Sequence, residues 1–164
     1  MNDSAASRRP LTAAVITGGH AYDVPDFHHL WRRFDAVDAY IQHMDDFATS
    51  AADVRNHYDV LVFFSMMKQT PAAESKHRKT LERLRTTGQG IVLLHHAILS
   101  YPEWPLWHDL SGLEQRTIDA FHHDQNLTVR IHDPDHPITQ EQRDFDIVDE
   151  TYETADCTPE NRVL

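Results

Sequence analysis

The sequence predicts an α/β domain whose mainly parallel sheet is covered by helices on both faces. Three short apolar runs carry that prediction, residues 13–17 (AAVIT), 59–64 (DVLVFF) and 90–95 (GIVLLH), each bounded by turn or polar residues. Strands buried on both faces read as continuous apolar runs of this kind. Helical patterns separate them, and strands alternating with helices imply right-handed crossovers within one sheet. A length of 164 residues suits one domain with a proper core, expected over residues 11–164.

Taken in order, residues 1–10 read as a disordered N-terminal tail, because Arg8 and Arg9 precede no apolar segment ending in a cleavage site. A first helix follows Pro25, with Phe27, Leu30, Trp31 and Phe34 on one face at spacings of three and four. A weaker strand is expected at 39–44 and a short helix at 50–57. The next helix is placed from Thr70-Pro71, a cap followed by proline, to Gly88, with Ala73, His77, Leu81 and Leu84 inward. Residues 105–110 fit a helical turn or two. The alternating segment 127–132 (LTVRIH) and residues 145–148 fit further strands.

Composition narrows the function. The net charge is −11, and residues 124–164 hold three arginines against eleven acidic residues. Phosphate neutralisation dominates nucleic-acid affinity, so a chain without a basic stripe is not expected to bind nucleic acid. No apolar run approaches the ~18 residues of a membrane span, and with no leader read at the N-terminus the expected location is cytoplasmic. Cys157 is the single cysteine among thirteen histidines. It rules out an internal disulfide and a cysteine-based zinc motif.

Ligands of open α/β sheets bind beyond the carboxyl ends of the strands, which directs attention to strand-end residues. The first strand runs into Gly18-Gly19-His20, with Tyr22 and Asp23 before the helix. The two glycines permit a tight turn and close backbone approach, while GxGxxG is absent. The third run ends in His95-His96; if the strand stays extended there, the two rings point to opposite faces and cannot share one ion. Trp104 and Trp107 offer indole faces for a sugar ring, or else cap the core beneath a long loop. His122-His123, His132 and His136 add imidazoles, and Asp149-Glu150 before Tyr152 add carboxylates suited to acid, base or ligand roles. HExxH is absent, but His20, His95, His123 and His136 are candidate ligands for Zn²⁺ or another divalent ion if the fold gathers them. Cys157 lacks the flanking glycines of a nucleophile elbow.

In this order the segments ITGGHAYD, YDVLVFF, GQGIVLLHHAILSYPEWPLWHDLSG, VRIHDPDHPIT and FDIVDETY resemble the trehalose-utilisation (ThuA-like) family. The resemblance runs from residue 13 to residue 164. It implies a three-layer αβα fold of the flavodoxin-like, class I glutamine amidotransferase-like kind, and a role in the metabolism of trehalose-like disaccharides or keto-glycosides. It further implies that His20, His95, Asp149 and Glu150 line the site with His123 and His136. Gly18, Gly19, Asp23, His96, Trp104 and Tyr152 are the expected substrate contacts. Where amidotransferases of this fold carry their cysteine, this chain has Leu94-His95-His96-Ala97, so thiol chemistry is not expected. The family's last strand and helix have no counterpart before Leu164. Three roles fit: a sugar-modifying isomerase, lyase or hydrolase; a non-catalytic saccharide-binding module; or a partner-dependent subunit completed by another chain or by a second copy in a homo-oligomer.

Overall fold

The computed structural model describes residues 9–113, 115–116, 118, 120–153 and 157–164. The chain forms two compact units, Met1–Trp107 and His108–Leu164. Residues 1–8 of the expected tail lie outside the described residues. Arg9, also assigned to that tail, forms a bidentate ion pair with Asp59, both contacts at 2.8 Å.

The first unit holds β1 (Leu11–Gly18), α1 (Val24–Trp31), β2 (Val37–His43), α2 (Met44–Thr49), α3 (Ala52–Asn56), β3 (Val60–Ser65), α4 (Lys76–Glu82) and β4 (Gly90–Leu93). Its four strands pair in parallel in the order β2-β1-β3-β4. This is the flavodoxin-like arrangement read from the sequence. From β1 the chain moves outward to β2 and returns to the other side of β1 with β3, so the topological switch lies between the carboxyl ends of β1 and β3.

Alternation along the strands divides the core. Val15 and Val62 pack with Phe27 of α1, joined by Tyr22, Trp31 and Phe64. Phe63 points the other way, edge-on to Phe47 of α2 and to Trp107. Residues 13–18 of β1 are buried throughout, which accounts for the uninterrupted apolar run AAVIT. Two helices differ from expectation. The short helix expected at 50–57 is α3, but α2 at Met44–Thr49 was not expected, and α4 begins at Lys76 instead of Pro71 because Ser75 takes the cap, accepting from Arg78 N at 3.1 Å. Leu81 and Leu84 face inward as read, while Ala73 is exposed outside the helix.

α5 (Pro105–Ser111) spans the boundary between the units. The second unit contains β5 (Phe121–Val129) and β6 (Phe145–Tyr152), a two-stranded antiparallel sheet. Both strands are longer than the alternating segments predicted. The pairing slips between His122 and Gln125, placing His123 and Asp124 in a bulge where Asp124 has φ 54°.

Candidate functional site

The switch between β1 and β3 is closed by backbone against backbone. Gly19 has φ 72°, and a Cβ there would stand 2.4 Å from the Met66 carbonyl oxygen. A Cβ on Gly18 would meet the His43 ring at 2.9 Å. The Gly-Gly pair thus lets the turns after β1 and β3 pack closely. Asp23 is the N-cap of α1, accepting from Asp26 N at 3.0 Å. That is a structural duty for a residue read as a substrate contact.

Three of the named histidines meet at this end of the sheet. β4 ends at Leu93, and residues His95–Leu99 form a 3-10 turn with His95 at φ 54°. The extended geometry that would have separated the two rings therefore does not hold. The left-handed residue folds the chain back, and the Nδ1 atoms of His95 and His96 lie 3.0 Å apart. One must donate and the other accept. His96 is buried at 2% exposure, stacked on His20 with centroids 4.2 Å apart and against Phe64 at 4.6 Å. The His20 Nδ1 lies 2.6 Å from the Ala21 carbonyl, to which it donates, so its Nε2 is the acceptor of the neutral ring. His95 itself is exposed. The arrangement is an exposed imidazole on a strained strand-to-helix elbow, with His96 beside it and His20 stacked on His96.

The loop beyond is fixed to the end of β3. Ser100 Oγ donates to Ser65 O at 2.6 Å and accepts from Met67 N at 3.0 Å, and Tyr101 N donates to Met67 O at 2.6 Å. Trp104 is 4% exposed, with Tyr101 edge-on and the Arg78 guanidinium 5.4 Å from its ring centre. Trp107 is fully buried and donates to Ala97 O. Both indoles cap the core, the structural one of the two roles read for them.

A cleft of about 500 Å³ opens beside this loop, lined by Met67, Lys68, Gln69, Pro71, His77 and Tyr101 among others. His77 Nε2 lies 2.8 Å from Asp45 Oδ1, and Asp45 N donates to His43 Nδ1 at 3.2 Å. Burial, and secondarily the charge of Asp45, raises the Tyr101 hydroxyl pKa well above its ordinary value, keeping it protonated. Sequence reasoning singled out none of His43, Asp45, Lys68 or Tyr101, and treated His77 as packing. The pairing of Asp45 with His77 spans 32 residues, and no local spacing encodes it.

In the second unit Glu150 joins two named residues. Its carboxylate lies 2.7 Å from His123 Nδ1 and accepts from the Tyr152 hydroxyl at 2.6 Å. Burial raises the Tyr152 hydroxyl pKa, helped by the bond to Glu150 and the charges of Glu150 and Asp149. Asp149 accepts from Glu150 N, and His136 Nδ1 accepts from Ile138 N within its turn. Among the described residues, no group of three His, Cys, Asp or Glu side chains in either unit is placed to hold a metal ion. No helix among the described residues is long and apolar enough to cross a membrane.

Comparison with known proteins agrees with this architecture. A family model described as trehalose utilisation, ThuA, matches residues 26–164, beginning just after the GGHAYD turn. A crystal structure of a ThuA-like protein from Bacteroides uniformis superposes with a TM-score of 0.70 at 18% identity, covering 99% of this chain and 69% of that one. No curated protein matches the sequence.

Proposed function

The chain belongs to the trehalose-utilisation (ThuA) family, and from that premise we propose that it acts on a saccharide, a trehalose-like disaccharide or a keto-glycoside, at the carboxyl ends of β1 and β4. The observation that supports this most is the left-handed elbow at His95, which carries an exposed imidazole in contact with His96, itself stacked on His20. In this reading His95 moves a proton to or from a sugar hydroxyl or an acidic C–H, since imidazole titrates near neutral pH. His96 fixes which nitrogen of His95 carries hydrogen, and His20 closes the cluster. With histidine where a thiol nucleophile would stand, the chemistry is proton transfer and not acyl transfer.

Turnover of a keto-glycoside by the wild-type chain and by His95→Ala and His20→Ala tests the reading. A positioned acid or base contributes about 10²–10⁴-fold, so kcat should fall by at least ~100-fold in His95→Ala. Full activity in both variants overturns the assignment. Saccharide binding by the wild type without any product would identify a non-catalytic module instead.

A further inference from the structure

The cleft beside β3 lies entirely in the first unit, and its lining residues and the three clustered imidazoles are different side chains. Its wall is apolar where Met67, Pro71 and the Tyr101 ring face it, and its polar side chains include Lys68, Gln69 and His77, with the hydroxyls of Thr70 and Ser75. About 500 Å³ falls within the usual range of small-molecule sites, which pair apolar walls with a few placed polar groups. The polar groups differ in kind. Lys68 donates only, Gln69 donates and accepts, and His77 is committed at Nε2 to Asp45. When the ring is neutral, a carboxylate at Nε2 selects the tautomer with hydrogen there, which leaves Nδ1 as an acceptor. Among the described residues, no carboxylate lines the cleft. Tyr101 is held with φ 48°, a conformation uncommon for a bulky side chain, and it anchors the wall through its bond to Met67.

We propose that this cleft is a saccharide subsite, in which His77, positioned by Asp45, accepts a hydrogen bond from a sugar hydroxyl. Lys68 and Gln69 bond neighbouring hydroxyls, and Pro71 and Tyr101 cover a CH-rich ring face. A ligand with many hydroxyls and apolar ring faces matches both halves of the lining. The proposal rests on the saccharide reading above and extends it by separating where sugar is held from where the elbow imidazoles stand.

Titrating ¹⁵N-labelled full-length protein with trehalose, and separately with methyl α-glucoside, locates the contact by amide shifts. The expected result is that residues 67–72, 77 and 101 move, and that His77→Ala weakens binding by about tenfold, the loss of a net hydrogen bond. Asp45→Asn keeps the ring but releases its tautomer, and should weaken binding by a smaller factor. If His77→Ala does not fold, Lys68→Ala, at an exposed loop position, should weaken binding severalfold. Shifts confined to residues 18–20 and 95–96 overturn the subsite and leave the saccharide reading standing. Shifts at neither place with either sugar overturn both. Unchanged affinity in a folded His77→Ala, or in Lys68→Ala where that variant is used in its place, also overturns the subsite.

Discussion

His95 carries the clearest conflict between local preference and structure. A histidine at φ 54° bears a steric cost that glycine would not, and its ring is exposed, so packing returns little for it. Backbone strain of this kind persists where surrounding structure enforces it, and it concentrates at working sites. We expect His95→Gly to be at least as stable as the wild type, with relief of about 1 kcal/mol offsetting the flexibility that glycine adds to the unfolded chain, while activity is lost. Urea midpoints and turnover measured on the same preparations check this. A variant destabilised by more than ~2 kcal/mol would show that the ring is a packing element, against the strain argument.

At the scale of elements, Asp59 joins the starts of β1 and β3. Its carboxylate accepts from Thr12 N at 2.8 Å, from Thr12 Oγ1 at 2.9 Å and from both Arg9 terminal nitrogens. The Arg9 guanidinium foremost, then the Thr12 bonds, hold its pKa well below the ordinary carboxylate range. A depressed carboxylate contributes stability that is complete above the unfolded value near ~4 and disappears as pH falls through the folded one. The difference in stability between wild type and Asp59→Asn should therefore be largest at neutral pH and shrink steadily below about pH 4. Urea unfolding at pH 7 and pH 3 measures it. Equal differences at both pH values would show that the carboxylate charge plays no part.

The elements also show what the sequence makes legible. The parallel strands were readable because burial on both faces leaves runs such as AAVIT and VLVFF that only a covered sheet accommodates. The strand-end rule then led to His20, His95 and His96 without any structure. The start of α4 was misread because Thr70-Pro71 and Ser75 are both adequate caps, and sequence alone does not rank them. Residues 71–72 instead line the cleft. The His95 and His96 rings meet because one residue turns left-handed, a choice that a histidine's identity does not announce. The dyad of Asp45 and His77 was invisible for a different reason: it depends on α2 and α4 packing side by side, a tertiary fact with no local signature.

On the scale of the whole chain, the two units differ in how firmly their backbones are held. β1 is paired on both sides and buried from Ala13 to Gly18, and β3 is paired on both sides and mostly buried. Among the described residues β5 and β6 pair only with each other, are mostly exposed, and carry a bulge. A two-stranded ribbon has little apolar burial to hold it, and local opening follows from low burial and solvent-accessible ladder bonds. Amides of β1 and β3 should therefore exchange hydrogen at least ~100-fold more slowly than those of β5 and β6, with fast exchange centred on the bulge at His123 and Asp124. Mass spectrometry of peptides after deuterium labelling measures this directly. The contrast also bears on the site, because the elbow at His95 and the cleft beside β3 both belong to the firmer unit. A strained backbone needs surroundings that do not relax, and a positioned imidazole needs a fixed neighbour. Equal protection in the two sheets would remove that reason for preferring His95 and His77 over Glu150 and its partners as the chemical centre.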